Sequence, residues 1–298
     1  MQFRTLGRTG IEVSVVGIGA WQFGGEWGHD YSQQDVDAIV NEARSQGINL
    51  IDTAECYGDH LSETLVGRAV KRDREKWVIA TKFGHRFLGQ FERDQLWSAA
   101  EVEQQLQDSL RALQTDYVDL YQFHSGDDDV FDNEELWTML QRQVQAGTVR
   151  HIGISLSTDI SVRQVEDATR IGAGAIQVVY NRLDRRSEQA VFPLCIEQNL
   201  GVLARVPLAS GFLSGKYKPG ATFAESDIRS RRERRKIEDA LHEVQQLRSS
   251  EIPPDVDMAA WALAWCLKNP AVTCVIPGCR NPQQVVSNAA AVALLETG

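Results

Sequence analysis

The sequence predicts a (β/α)8 TIM barrel, an eight-stranded parallel barrel surrounded by helices. Strand-like and helix-like stretches alternate along the 298 residues, with eight of each. Most strand-like stretches are continuously apolar, which is typical of parallel strands covered on both faces. The glycines of GIGAWQFGG, which contains the end of the first strand, do not have the GxGxxG spacing of a dinucleotide-binding loop. A doubly wound open sheet is therefore the less favoured architecture.

The chain opens on FRTLGRTGIEVS, in which two β-rich halves flank a turn at Arg8–Gly10. This pattern predicts an N-terminal β-hairpin, which would close the N-terminal mouth of the barrel. No linker rich in Pro, Gly or Ser divides the sequence, so we expect residues 1–298 to form a single domain.

The alternating pattern places each element in order. The predicted strands are Val13–Ile18, Asn49–Asp52, Trp77–Thr81, Val118–Phe123, Val149–Ile154, Ala175–Val179, Gly201–Arg205 and Val272–Ile276. The predicted helices are Asp35–Gln46, Ser62–Val70, Ala100–Leu113, Asn133–Ala146, Ser161–Ile171, Glu188–Asn199, Val256–Asn269 and Pro282–Leu295. Ser62 is expected to cap its helix, and glycines are expected to end four helices. These glycines are Gly47, Gly147, Gly172 and Gly201.

One segment departs from this alternation, and we call Pro207–Pro254 the covering segment. It is too long to be a simple connector, because most loops in compact domains have about 4–6 residues. It contains GFLSGKYKPG and then IRSRRERRKIEDALHEVQQL, which is predicted to be helical. We expect its arginine run to form a solvated helix face rather than a phosphate site.

The composition excludes several classes of function. The net charge of −10 disfavours binding to nucleic acid or to anionic membranes. No stretch reaches the roughly 18 apolar residues of a membrane span, and the N-terminus lacks a secretory signal. Five cysteines without a CxxC motif argue against a disulfide framework or a structural zinc site. We therefore expect a cytoplasmic protein with reduced thiols.

Four polar side chains lie where apolar stretches end. Asp52 ends INLID, Lys82 follows WVIAT, and His124 ends VDLYQFH, while Tyr57 lies in the loop after Asp52. Because the carboxyl ends of barrel strands meet at one rim, we expect the four side chains to share a pocket. Taken singly, each has a structural alternative, such as capping, packing on the rim or a local hydrogen bond.

Together, these residues suit proton transfer. Free tyrosine has a pKa near about 10, and a neighbouring ammonium group at Lys82 would lower the pKa of Tyr57. Asp52 would hold Lys82, and His124 would either orient a substrate oxygen or help relay the Tyr57 proton. The set predicts proton donation to a carbonyl oxygen as it becomes an alkoxide. It lacks the clustered carboxylates and histidines of a metal centre, so no metal is expected.

The sequence resembles the aldo-keto reductase family over essentially its whole length. The matching stretches are LGRTGIEVSVVGIGAW, NLIDTAECYG, SETLVGRAV, VIATKFG, DYVDLYQFH, GTVRHIGIS, QVVYN, PLASGFLSGKY and VIPGCRNPQQV. The resemblance implies a barrel that binds NADP(H) and reduces an aldehyde or ketone by hydride transfer. It implies that Tyr57 is the general acid and base, with Asp52, Lys82 and His124 as its partners. The covering segment would be the loop after strand 7 that folds over the cofactor.

The resemblance also implies the binding residues. Residues expected at the nicotinamide end are Trp21, Ser155, Gln177 and Arg205. Residues expected around the pyrophosphate are Pro207, Leu208, Ser210, Gly211, Leu213, Gly215 and Lys216. The remaining cofactor residues are Ile276, Gly278, Arg280, Gln284 and Asn288, with Arg280 on the 2′-phosphate. A guanidinium at a helix N-terminus suits a phosphate dianion, which favours NADP over NAD. Substrate contacts are expected from Trp21, Tyr57 and His124.

Two positions differ from the family pattern. Leu156 stands where many members have an asparagine that contacts the carboxamide, and Arg205 stands where an aromatic ring stacks on the nicotinamide. A guanidinium plane can stack as well, but it would repel the positive ring of NADP+. We hypothesise that Arg205 favours the reduced cofactor. The alternative is that it pairs with a local carboxylate.

Other functions stay open at this point. An auxiliary or redox-sensing subunit could use the same fold with little turnover, whereas an isomerase or lyase would need a phosphate or metal site. Cys56 could be a redox-sensitive thiol, although packing as a small hydrophobic residue is favoured. The natural substrate, the physiological direction and the oligomeric state do not follow from the sequence. A small-molecule carbonyl compound is the expected partner.

Overall fold

The computed structural model describes residues 1–295 and has a parallel barrel at its centre. The strands are β1 (Phe3–Thr5), β2 (Glu12–Ser14), β3 (Ile18–Gly19), β4 (Leu50–Asp52), β5 (Val78–Phe83), β6 (His85–Gly89), β7 (Glu92–Gln95), β8 (Val118–His124), β9 (Val149–Ser155), β10 (Ala173–Val179), β11 (Gly201–Arg205) and β12 (Cys274–Val275). Eight parallel strands form one sheet in the order β12, β11, β10, β9, β8, β5, β4, β3. The sheet closes where the Gly17 N–H donates to the Val275 carbonyl at 2.8 Å. The predicted (β/α)8 fold is confirmed.

Helices surround this sheet. They are α1 (Gln33–Ser45), α2 (Leu61–Val70), α3 (Ala99–Leu113), α4 (Asp128–Phe131), α5 (Glu134–Ala146), α6 (Val162–Glu166), α7 (Ser187–Ala190), α8 (Phe192–Glu197), α9 (Arg234–Ser250), α10 (Met258–Leu267) and α11 (Pro282–Ala289). Shorter 3-10 helices cover Trp21–Gly24, Lys71–Lys76, Ala209–Ser214, Ile228–Arg231 and Ala290–Leu295. Among residues 1–295, every helix is too short or too polar to cross a bilayer.

The predicted N-terminal hairpin is present. Strand β1 pairs antiparallel with β2. Leu6 and Val13 are fully buried in one apolar cluster with Leu50, Leu120 and Leu203 of the barrel strands. The hairpin therefore seals the end of the barrel at which the strands begin, and leaves the opposite end for the site.

Four predicted elements differ clearly from the observed ones. The predicted helix Pro282–Leu295 divides between α11 and the 3-10 helix Ala290–Leu295. The stretch Val13–Ile18 divides between β2, which belongs to the hairpin, and β3, which belongs to the barrel. Only the first part of Ser161–Ile171 is helical. The stretch Glu188–Asn199 forms two short helices, α7 and α8, with Pro193 in the first turn of the second. Proline lacks an N–H and restricts the residue before it, so the helix is interrupted there.

Three predicted helix ends are wrong. Gly172 does not end a helix, because α6 ends at Glu166 and its C-cap is Asp167. Ser62 is inside α2 rather than at its cap, and its hydroxyl donates to the Ala20 carbonyl at 2.9 Å. Gly201 does not end a helix, because Asn199 takes the left-handed conformation with φ of 52°. Gly201 instead lies in β11, where an added Cβ would approach Leu6 to 2.5 Å. This glycine is needed for close packing of the hairpin on the barrel.

Candidate active site

The four predicted catalytic residues meet at the carboxyl ends of neighbouring strands. Asp52 is the last residue of β4, Lys82 lies one position before the end of β5, and His124 is the last residue of β8. Strands β4, β5 and β8 are adjacent in the sheet. Tyr57 lies in the turn after β4, with its ring centroid 6.2 Å from the His124 ring. The expected grouping is therefore present in the structure.

Lys82 links the group. Its Nζ donates to Asp52 Oδ2 at 2.7 Å, to the Thr53 carbonyl at 2.6 Å and to the Tyr57 hydroxyl at 3.1 Å. The side chain is fully buried. Burial lowers the pKa of Lys82, but the charges of Asp52 and Tyr57 outweigh it and raise the pKa above its usual range. Lys82 is therefore a permanent cation beside the phenol.

The pKa of Tyr57 differs from the sequence-based expectation. Desolvation of the hydroxyl outweighs the lowering effect of Lys82, and Asp52 adds to the rise, so the pKa is raised to about 12. The expected net lowering by Lys82 is therefore wrong for the free protein. A proton donor must hold its proton at working pH, and Tyr57 does so throughout the neutral range.

His124 is the other group near the Tyr57 ring. Burial lowers the pKa of His124 well below its usual range, and the nearby positive charges of His85, Lys82 and Arg205 lower it further. Its imidazole is therefore neutral at pH 7. A neutral imidazole can donate one hydrogen bond to a carbonyl oxygen without carrying charge.

A buried amide network adjoins the four residues. The Gln177 side-chain amide donates to Asp52 Oδ1 at 2.6 Å and to Gln122 Oε1 at 3.0 Å. The Ser155 hydroxyl donates to Gln177 Oε1 at 3.4 Å. Asp52 thus accepts hydrogen bonds from Lys82 on one oxygen and from two amides on the other. These bonds fix the direction in which Gln177 presents its amide.

A pocket of about 570 Å³ extends from Tyr57 past the covering segment to α11. Predicted site residues that line it are Trp21, Asp52, Tyr57, His124, Gln177, Arg205, Pro207, Leu208, Ser210, Gly211, Lys216, Ile276, Gly278, Arg280, Gln284 and Asn288. Four predicted site residues do not line the pocket: Lys82, Ser155, Leu213 and Gly215. Leu213 is fully buried among apolar residues that include Ile237 of α9. Its side chain therefore anchors the covering segment.

Two arginines of the covering segment form hydrogen bonds that the sequence does not predict. Arg229 is only 4% exposed and donates to both carboxylate oxygens of Asp227, at 2.9 and 2.5 Å. Arg232 donates to the Ser210 hydroxyl at 2.6 Å. Both precede α9, so they are not part of the solvated helix face that was predicted. The Arg232 contact joins residues 22 positions apart, whereas Asp227 lies only two positions before Arg229.

Arg280 has partners of its own. Its guanidinium donates to the Trp27 carbonyl at 2.9 Å and lies 3.9 Å from Asp227 Oδ2. Trp27 and Asp227 also form an isolated antiparallel bridge. The covering segment therefore crosses the pocket and contacts the loop after β3 at this point.

Glu26 links the aromatic wall of the pocket to the β6–β7 hairpin. It is 1% exposed, and its carboxylate accepts hydrogen bonds from Trp21 Nε1 at 2.5 Å, Arg93 Nη2 at 2.5 Å and the Phe91 N–H at 3.1 Å. Trp21 stacks on Tyr57 with ring centroids 6.0 Å apart. The role of Glu26 does not follow from the sequence, because Phe91 and Arg93 lie on a separate loop far along the chain.

Cys56 is one of five free, buried cysteines. Its Sγ lies 3.9 Å from His124 Nδ1, and burial raises the pKa of the Cys56 thiol above its usual range. A cysteine binds metals and reacts with oxidants as its thiolate. A protonated, buried thiol therefore suits packing better than metal binding or redox sensing. We therefore identify no metal ligands here.

The pocket fits a nicotinamide dinucleotide. Two buried donors without a hydrogen-bond partner, Arg205 Nε and Trp27 Nε1, belong to residues that line it. Arg205 donates only to the Leu156 carbonyl, at 3.0 Å, and forms no ion pair within the described residues. The alternative pairing of Arg205 with a local carboxylate is therefore wrong. Such donors suit a planar, partly anionic ligand.

A model of the "Aldo/keto reductase family" matches residues 15–297. The chain belongs to the aldo-keto reductase family. As an aldo-keto reductase, it is an oxidoreductase of carbonyl groups and binds a nicotinamide cofactor. Its structure is similar to that of the aldo-keto reductase AKR11C1 from Bacillus halodurans in its holo form. The TM-score is 0.82 and the identity 33%, over 98% of this chain and 91% of the other.

Two further aldo-keto reductase relatives have informative names. The chain is 30% identical to the "NADH-specific methylglyoxal reductase" of Escherichia coli (strain K12), over 96% of this chain and 92% of the relative. It is 31% identical to a "Probable voltage-gated potassium channel subunit beta" of Oryza sativa subsp. japonica, over 97% of this chain and 90% of the relative. Relatives of this aldo-keto reductase thus carry names of two classes.

Proposed function

We propose that this chain reduces an aldehyde or ketone to an alcohol with NADPH, and that Tyr57 is the general acid. One observation carries the proposal: Lys82 Nζ contacts both the Tyr57 hydroxyl and Asp52, at 3.1 and 2.7 Å, below the pocket. The reduced nicotinamide, when bound, would supply hydride to the carbonyl carbon. Tyr57 would give its proton to the carbonyl oxygen, and Lys82 would stabilise the phenolate that is left.

Proton transfer from Tyr57 is favourable even though its pKa is about 12. The developing alkoxide is a stronger base than a phenolate, so the proton moves from Tyr57 to the product oxygen. Neutral His124 would donate a hydrogen bond to the same oxygen and hold it beside the phenol. Trp21 would form the wall against which the substrate packs.

For the cofactor we propose NADP(H). Arg280 supports this choice, because it precedes α11, whose N-terminus would favour a phosphate. Asp227, which lies 3.9 Å from Arg280, acts against it. We expect Arg280→Met to raise the KM for NADPH about tenfold and to leave the KM for NADH nearly unchanged. Equal changes for both cofactors would exclude a 2′-phosphate role of Arg280.

Gln177 would hold the nicotinamide carboxamide, and Ser155, which does not line the pocket, would position Gln177 through its hydrogen bond. Ser210 and Lys216 would contact the pyrophosphate. We add Arg232, whose hydrogen bond to Ser210 places a second cation there. We also propose that residues 1–298 act as one domain. Five free cysteines support a reducing cytoplasm.

The proposal is tested with a panel of carbonyl compounds, including methylglyoxal, by following NADPH absorbance. We expect Tyr57→Phe to lower kcat by about 10²–10⁴-fold, because the phenyl ring keeps its packing but carries no proton. Tyr117→Phe is the matched control. It removes a hydroxyl far from the pocket, where the ring packs under Arg74 and Arg150, and should leave kcat unchanged. Full activity of Tyr57→Phe would refute the assignment.

A second candidate is a cofactor-binding auxiliary or redox-sensing subunit with little turnover. The similarity to a protein named as a potassium channel β subunit favours it. This candidate predicts tight NADPH binding with negligible oxidation of NADPH across the whole carbonyl panel, whereas the reductase predicts steady turnover.

A further inference from the structure

His85 lies between two cavities, and Glu55 adjoins one of them. His85 lines the pocket that contains Tyr57, and both residues line a second cavity of about 410 Å³. Each has a buried polar atom without a hydrogen-bond partner, Oε2 of Glu55 and Nδ1 of His85. Buried polar atoms are normally satisfied by protein or by water. The wall between the cavities therefore has the groups that a water or proton path requires.

Glu55 and His85 also lie close to His124. A carboxylate oxygen of Glu55, Cys56 Sγ and a ring nitrogen of His124 all lie within 4.8 Å of one another. The His85 ring lies edge-on to the His124 ring at 4.8 Å between centroids. The backbone N–H of His85 donates to Glu55 Oε1 at 3.0 Å, which fixes the carboxylate. Since the His124 ring lies 6.2 Å from the Tyr57 ring, a row of proton-carrying side chains leads from the second cavity to the phenol.

We propose that protons reach Tyr57 from the second cavity through Glu55, His85 and His124. This inference rests on the proposed function. Each reduction adds a hydride to the carbonyl carbon and the Tyr57 proton to the oxygen. The O–H bond of Tyr57 breaks, and its electron pair stays on the phenolate. One proton from water must therefore return to Tyr57 in each turnover, and substrate and cofactor would fill the pocket above it.

The charges around Glu55 suit proton exchange near neutral pH. Burial raises the pKa of Glu55 to about 7, with the His85 N–H and Lys82 opposing the rise and Glu63 adding to it. Burial lowers the pKa of His85, and the charge of Arg93 lowers it further. The groups that face Glu55 are Cys56, His60, Glu63, Lys82, Tyr121 and His124, and those that face His85 are Arg93, Asp94 and His124. Glu55 is protonated below pH 7, so proton supply falls as the pH rises through 7.

Glu55→Gln tests the path, because the amide keeps the size of the side chain but cannot release a proton. NADPH oxidation with methylglyoxal is measured between about pH 6 and pH 9. We expect the wild-type kcat to fall as the pH rises above a pKa near 7. The variant should have a kcat about tenfold lower at pH 6, and its kcat should no longer fall as the pH rises through 7. The first turnover with NADPH already bound should be unchanged, since Tyr57 starts protonated. A purely structural role of Glu55 would slow the first and later turnovers alike.

His85→Phe is a second variant that keeps ring contacts with Trp97 and His124, and it should show the same loss of kcat. Asp108→Asn is the matched control, because Asp108 lines the second cavity away from the wall. It should retain the wild-type kcat. The infrared band of the protonated Glu55 carboxyl should titrate near pH 7 in wild type and be missing in Glu55→Gln.

Three results would overturn the path. The first is a Glu55→Gln variant with the kcat and the pH dependence of wild type, and the second is a first turnover in that variant that is slowed as much as later ones. The third is a wild-type protein in which no carboxyl infrared band titrates near pH 7. A wild-type protein that oxidises no NADPH with any carbonyl compound would instead refute the proposed reductase. The infrared titration needs no turnover, so it would still decide whether Glu55 exchanges protons near pH 7.

Discussion

Tyr57 keeps its proton because desolvation outweighs the ammonium beside it. The sequence identifies both Tyr57 and Lys82, but it does not show how deeply the hydroxyl lies. Lys82 still has a large effect, since its charge opposes a rise that burial alone would carry further. A sequence can therefore name the partners of a proton transfer more readily than it can give the sign of the net pKa shift.

Arg205 should set the preference between oxidised and reduced cofactor. Its guanidinium lines the pocket, has an unpartnered Nε and forms no ion pair among the described residues. It would repel the positive nicotinamide ring of NADP+ more than the neutral ring of NADPH. We expect Arg205→Tyr to lower the ratio of NADPH to NADP+ affinity about tenfold, which corresponds to about 1.4 kcal/mol.

Fluorescence titration of both cofactors into both proteins measures this ratio. Lys216→Met is the control, because Lys216 lines the pocket within the segment expected at the pyrophosphate and should weaken both cofactors equally. An unchanged affinity ratio in Arg205→Tyr would remove the assigned role.

At the scale of elements, the loop after β3 and the β6–β7 hairpin depend on Glu26. We expect Glu26→Gln to raise the KM for carbonyl substrates about tenfold. The amide accepts fewer hydrogen bonds and no longer pairs with Arg93, so Trp21 loses its fixed position over Tyr57. Steady-state kinetics with methylglyoxal measures the change.

Glu92→Gln is the matched control, because Glu92 is an exposed residue of the same hairpin. It should leave the KM unchanged. A wild-type KM in Glu26→Gln would show that Trp21 is held in place by packing alone.

The N-terminal hairpin makes a second prediction at this scale. We expect Gly201→Ala to destabilise the fold by about 1–3 kcal/mol, because the added methyl group would lie 2.5 Å from the Leu6 side chain and 2.7 Å from its carbonyl carbon. Urea unfolding measures the change in free energy. Gly89→Ala is the control, since no atom lies within 4 Å of its added methyl group, and its effect should stay within about 0.5 kcal/mol. Equal stabilities would contradict the close packing of the hairpin.

The sequence predicts elements whose signals are local and misses those defined by distant contacts. Seven of the eight predicted barrel strands correspond closely to observed strands, because continuous apolar runs mark buried parallel strands wherever they occur. The β6–β7 hairpin lies in a stretch for which the sequence predicts no element, since its strands are short, partly polar and outside the barrel. The hydrogen bonds of Arg229 and Arg232 to Ser210 are likewise absent from the local pattern, because they span 19 and 22 positions.

At the scale of the whole molecule, an acidic protein has a basic pocket. The net charge is −10, yet five cations and only two carboxylates line the pocket. The cations are Arg93, Arg205, Lys216, Arg229 and Arg280, and the carboxylates are Asp52 and Asp257. Field lines concentrate in a cleft with an excess of one sign of charge, so this arrangement attracts an anionic dinucleotide while the remaining surface repels it.

We expect the association rate of NADPH to fall about tenfold when the salt concentration rises from about 10 mM to about 200 mM, with a smaller change in the dissociation rate. Stopped-flow fluorescence separates the two rates. An association rate that is insensitive to salt would show that cofactor capture is not electrostatically steered.

The complete burial of the Lys82 amine has a consequence outside the reaction. An acylating reagent needs a free, uncharged amine, and this one is enclosed, hydrogen-bonded three times and held as a cation. The fraction of molecules acylated at Lys82 would therefore equal the fraction whose barrel has opened. The residue expected to stabilise the phenolate would thus also report the rate at which the native state is lost.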